Sequence, residues 1–114
     1  LMPLFDWLVD RYKNVPCERL SLIHWDFHPA NLILKDDDTA IVIDWCGVDI
    51  GDFRADLAWT MLLISSYGET RGRDIILSEY EEVAGFKVEQ IEYYEVFALL
   101  RISEAHCVTI KVIK

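Results

Sequence analysis

Apolar residues fall at two different periods along this chain, and the changes of period divide it into elements. Over residues 2–13, Leu4, Phe5, Leu8, Val9 and Tyr12 recur at helical spacing with Asp6, Asp10, Arg11 and Lys13 between them, which predicts an amphipathic helix closed by Pro16. Short runs rich in Ile, Leu and Val at 20–24, 32–34 and 40–43 predict strands, with 26–31 as a loop made rigid by Pro29. Lys35-Asp36-Asp37-Asp38 is a turn cluster, so the last two runs can form a hairpin. Residues 44–53, with Gly47 and Gly51, read as irregular. Asp52 is placed to cap a helix over 53–66 whose surface is apolar almost all round, as a central helix requires. Helices are expected over 71–84, closed by Gly85, and over about 88–110. Residues 108–114, rich in β-branched side chains, also fit a strand. No segment repeats and none is of low complexity.

The runs deliver polar groups to one place. His24, Asp26 and Asn31 lie at and just after the end of the first run, and Asp44 ends the third. A hairpin between 32–34 and 40–43 brings Asn31 and Asp44 together, and two carboxylates with an amide oxygen suit Mg²⁺ and a phosphate. Asp26, on a loop at a strand end, can align a hydroxyl and accept its proton; its bland alternative is an Asx-turn. For Asn31 and Asp44 the bland alternatives are loop capping and a turn-forming aspartate.

His24-x-Asp26-x-x-x-x-Asn31, then Ile43-Asp44-Trp45, then Gly51-Asp52-x-x-x-Asp56-Leu57-Ala58 resembles the catalytic core of the aminoglycoside phosphotransferase and choline kinase superfamily. Three motifs in order cover residues 20 to about 62. The resemblance implies an α+β, mostly α fold: the carboxy-terminal lobe of a protein-kinase-like structure, with a small β-hairpin carrying the catalytic loop and residues 1–114 as a single domain. It implies ATP-dependent transfer of the γ-phosphoryl to a hydroxyl of a small substrate such as an aminoglycoside or amino alcohol. Asp26 would be the catalytic base and Asn31 and Asp44 the Mg²⁺ and nucleotide ligands, with His24, Asp52 and Asp56 organising the loop. Trp25 stands where that motif often has a small residue. The resemblance also implies an amino-terminal lobe with a phosphate-binding lysine; the glycines here are scattered and form no phosphate-cradling loop. With that lobe absent the fragment alone would be inactive, and its open apolar surface would be available to a homodimer.

Composition narrows the partners. A net charge of −9 opposes a nucleic-acid groove and is compatible with a cationic small molecule, although Glu79, Glu81, Glu82, Glu89, Glu92 and Glu95 also read as a solvated face. No apolar run approaches the ~20 residues of a membrane span. The absence of a basic leader with a cleavage site makes the cytoplasm the expected location. Three cysteines without paired spacing predict neither a disulfide framework nor a zinc site. Cys46 has no basic neighbour in sequence to make it nucleophilic. Asp49 reads equally as a reach toward substrate or metal and as a solvated charge. Two other functions remain open on the residues: a metal hydrolase built on His24, Asp26 and His28, which strand alternation would align, and a non-catalytic binding module.

Overall fold

The computed structural model describes residues 2–68 and 71–113, with side chains as far as Ser103. In chain order the elements are α1 (Met2–Arg11), a 3-10 turn (Tyr12–Asn14), β1 (Leu20–Ile23), a second 3-10 turn (Pro29–Asn31), β2 (Leu32–Leu34), β3 (Ala40–Val42), β4 (Asp49–Asp52), α2 (Phe53–Ser66), α3 (Gly72–Ala84) and α4 (Ile91–Ile113). The fold is α+β and mostly helical, with two small antiparallel ribbons. Among the described residues no helix is long and apolar enough to cross a membrane.

Helix α2 is the axis. Its N-cap is Asp52, whose carboxylate accepts from Arg54 N, and Leu57, Ala58, Trp59 and Met61 along it are buried. Leu57, Ala58 and Met61 meet Val88 and Ile91 in the core, with Phe53, Ile76, Leu77, Tyr80 and Tyr94 packed around them. Helix α3 ends where Gly85 adopts φ +80° and returns its N–H to Glu81 O, a left-handed cap suited to glycine. Arg73 on α3 reaches Glu95 on α4 through two contacts of 2.6 and 3.0 Å.

The structure corrects four sequence expectations. Residues 44–53 are not wholly irregular, because Asp49–Asp52 forms β4 and pairs with Leu20–Ile23. A sequence of Asp, Ile, Gly and Asp has little strand character of its own, so here the partner makes the strand. Gly51 is fitted to this place, since a Cβ there would lie 2.7 Å from Ile23 Cδ1. The β2–β3 hairpin forms as expected, and among the described residues the β1–β4 pair is a second ribbon that was not expected. Helix α1 tightens into a 3-10 turn after Arg11, two residues before its expected end. Helix α4 starts at Ile91 rather than 88 and continues to Ile113, so the strand alternative for 108–113 is not adopted; Lys114 lies outside the described residues.

A buried ion pair ties the base of α2 to the rest of the chain. Arg54 meets both Asp52 carboxylate oxygens (3.0 and 2.8 Å) and donates to Glu89 O and Pro16 O, while Tyr94 donates its hydroxyl to Asp52 at 3.0 Å. Burial pushes the Asp52 carboxyl up, but the bonds from Arg54 and Tyr94 outweigh it and hold the group below the usual carboxylate range. Burial and the Asp52 charge push the Tyr94 phenol up. Breaking such a pair from one side leaves a charge buried alone, so Arg54→Met should lower the unfolding free energy in urea by about 3–5 kcal/mol. Because the folded Asp52 value lies below the unfolded one, near 3.9, its contribution is complete above that value and fades as pH falls through the folded value. Asp52→Asn should accordingly flatten the decline of stability below about pH 5; an unchanged acid limb would show that other groups govern it.

Candidate active site

The loop between β1 and β2 is built around two residues that the backbone holds firmly. His24 is almost fully buried, and its Nδ1 accepts from Asp26 N at 3.1 Å, which places the ring hydrogen on Nε2, donated to Ile43 O at 2.8 Å. One imidazole thus joins the loop to the residue before Asp44. Asp56, in the first turn of α2, accepts from His24 N (2.7 Å) and Trp25 N (2.8 Å). Trp25 has φ +71°, a conformation a bulky side chain rarely adopts. Thr60, one turn further along α2, donates to Phe27 O at 2.7 Å.

Asn31 is buried and stationed by its own backbone: its N–H reaches His28 O, and its carbonyl accepts from Ile43 N, both at 2.9 Å. Register then follows from the β2–β3 ribbon, where Leu32 faces Val42, so Asn31 and Asp44 lie at the same end. The Asn31 side-chain Nδ2 donates to Asp26 O at 2.9 Å and approaches His28 Nε2 at 3.3 Å. A carbonyl can only accept, so this fixes the amide orientation, and Oδ1 takes no hydrogen bond from any described residue. Asp44 has φ +63°, within the region aspartate tolerates. The Asp44 carboxylate engages the Cys46 thiol and, by its hydrogen bond and charge, pushes that thiol up, away from nucleophilic behaviour.

Asp26 differs from its neighbours. Its backbone is fixed at both N and O, but its carboxylate is half exposed and makes only 3.4 Å contacts, with Trp59 Nε1, Asn31 Nδ2 and His28 Nε2. An Asx-turn aspartate would turn its oxygens onto its own backbone, and this one does not. The arrangement leaves a carboxylate free to meet a ligand from a rigid mount. It also disfavours a metal cluster of His24, Asp26 and His28, because both His24 ring nitrogens are engaged within the protein. Among the described residues no three His, Cys, Asp or Glu side chains converge as a metal site.

A family model for phosphotransferase enzymes, APH, matches residues 4–99. The chain belongs to that phosphotransferase family. No curated protein matches it significantly. Within this phosphotransferase the sequence motifs meet as follows: Asp26, Asn31 and His24 share the loop, Asp44 stands beside them at the end of the ribbon, Asp56 supports them from α2, and Asp52 lies at the other network with Arg54. Asp49 is exposed in β4, where its carboxylate bonds its own neighbour's N–H at 2.7 Å, a local role. Trp45 donates Nε1 to Val42 O and lies edge-on to His24 at 4.6 Å.

Three residues beside the loop were not singled out from sequence: Trp59, Thr60 and Arg101. The signal for Arg101 was a lone cation inside the apolar stretch Val96–Ile102. Its guanidinium lies over Trp59 and Trp25, at 4.0 and 4.8 Å from the ring centroids, and donates to Trp25 O at 3.0 Å. Asp56→Ala should leave two loop N–H groups unpaired and destabilise the chain by about 3 kcal/mol in urea titration. A loss below about 1 kcal/mol would show that the loop keeps its shape without that carboxylate.

Proposed function

We propose that this phosphotransferase moves the γ-phosphoryl of ATP to a hydroxyl of a small acceptor, with Asp26 as base and Asn31 and Asp44 as the ligands of Mg²⁺. The observation that carries the reading is the contrast at Asp26, whose backbone is bonded at both ends while its carboxylate is half exposed and held only by long contacts of 3.4 Å. We read the mostly helical α+β fold as the carboxy-terminal lobe of a protein-kinase-like structure, a reading that the family match supports.

The chain's residues divide the work. Asp26 aligns the acceptor hydroxyl and takes its proton as that oxygen bonds to phosphorus and the bridging oxygen of the leaving diphosphate departs. Asn31 and Asp44 suit the metal, since Oδ1 of the amide takes no hydrogen bond from any described residue and an amide oxygen with a carboxylate is a hard donor set. Bound there, Mg²⁺ would neutralise charge on the phosphate oxygens. His24 and Asp56 keep the two groups in register. The acidity of the chain, −9 overall, favours a cationic acceptor such as an aminoglycoside or amino alcohol. A homodimer fits the exposed apolar residues Leu20, Leu22 and Ile50 of the β1–β4 ribbon.

Calorimetric titration with Mg·ATP separates these roles. Asp44→Ala should weaken binding at least tenfold, a loss of about 1.4 kcal/mol, while Asp26→Ala should leave affinity within twofold and, assayed together with the amino-terminal lobe that the family resemblance implies, remove phosphoryl transfer. Equal loss of affinity in both variants would overturn the division of labour.

A further inference from the structure

Helix α4 reaches the loop at one point. Phe97 and Arg101, one helical turn apart, both touch Trp25: the Phe97 ring lies 6.2 Å from the indole, and Arg101 stacks on it and donates to its carbonyl. The same guanidinium lies closest to Trp59, whose Nε1 points at Asp26 Oδ1. Trp25, next to Asp26 in the chain, and Trp59, whose indole N–H meets the Asp26 carboxylate, therefore bear on one cation. Trp25 is the less comfortable of the two, held at φ +71° by Asp56 on one side and Arg101 on the other. Burial pulls the Arg101 pKa down, and the charges of Asp26 and Asp56 push against that fall, so the guanidinium belongs electrostatically to the loop as well as sterically.

We infer that Arg101 is a positioning residue for Asp26, acting through the stack with Trp25 and Trp59 rather than by touching a reacting group. The inference rests on the reading of Asp26 as the base. A planar guanidinium is required because it can lie on two indole faces and still direct an N–H at a carbonyl, which an ammonium cannot do with the same geometry. It also explains how Trp25 is accommodated where the family motif often has a small residue: the bulky side chain and Arg101 are one unit, and each needs the other.

The test is hydrogen exchange of the Trp59 indole N–H, followed by NMR in the wild-type chain, Arg101→Lys, Arg101→Met, Trp25→Gly and the Trp25→Gly/Arg101→Met pair. Arg101→Met should speed Trp59 exchange about 3- to 30-fold, the range a lost cation–π contact implies, while the amides of Ala58 and Met61 keep their rates. Arg101→Lys should fall between the two, and the Arg101 effect should shrink in the Trp25→Gly background. An unchanged Trp59 rate, or one that rises in step with Ala58 and Met61 as a general loss of stability would produce, overturns the inference. Should Arg101→Met not fold, Arg101→Lys decides, and a Trp59 rate equal to wild type overturns it. The readout needs neither nucleotide nor acceptor, so its failure is separable from failure of Asp26 as base, which the calorimetric titration addresses.

Discussion

The Asp56 carboxylate accepting from two successive backbone N–H groups, His24 and Trp25, is the constraint on which the loop depends. Left-handed geometry at a bulky residue costs about 1–2 kcal/mol. Hydrogen bonds to a charged group contribute about 1.5–3 kcal/mol each, so the two bonds outweigh the strain at Trp25. Because Asp56 belongs to the first turn of α2, and α2 is the axis of the core, the loop inherits the rigidity of the best-packed element. Arg54, two residues earlier, fixes the start of that helix to Pro16 O and Glu89 O, the stretches that lead into β1 and α4. The turn that presents Asp26 is thus anchored to the whole fold by two carboxylates of one short sequence.

A rigid mount with a free functional group is what phosphoryl transfer requires, since most of that catalysis is positioning and charge compensation. The His24 ring and the Asn31 amide hold the loop's main chain through bonds of 2.8–3.1 Å, whereas the contacts of the Asp26 carboxylate are longer, at 3.4 Å. Order resides in the main chain and availability in the side chain. The β2–β3 ribbon carries this order across to Asp44 through Ile43, whose N–H and carbonyl are both held by loop residues.

The sequence made the helices legible because their apolar period is long and their ends carry chemistry, Asp52 at the start of α2 and Gly85 after α3. It also located His24, Asp26, Asn31 and Asp44, since motif order survives without knowledge of the fold. It did not reveal β4, whose four residues become a strand only by pairing with β1. Nor did it reveal Arg54 as the partner of Asp52 or Arg101 as the partner of Trp25: the latter contact spans 76 positions of the chain, and nothing local to either residue announces the other. Asp56 was legible as a loop organiser by resemblance, but the atoms it holds became visible only once α2 was laid beside β1.

The most direct measurement is paramagnetic broadening of backbone and side-chain NMR signals by substoichiometric Mn²⁺, a stand-in for Mg²⁺ with the same preference for oxygen. If Asn31 and Asp44 form the metal site of this phosphotransferase, the first signals lost are those of Asn31 Nδ2, Ile43, Asp44 and Trp45, and Asp44→Ala restores them. Broadening centred instead on Glu79, Glu89 and Glu92, or unaffected by Asp44→Ala, would contradict that assignment and leave the loop without its metal role.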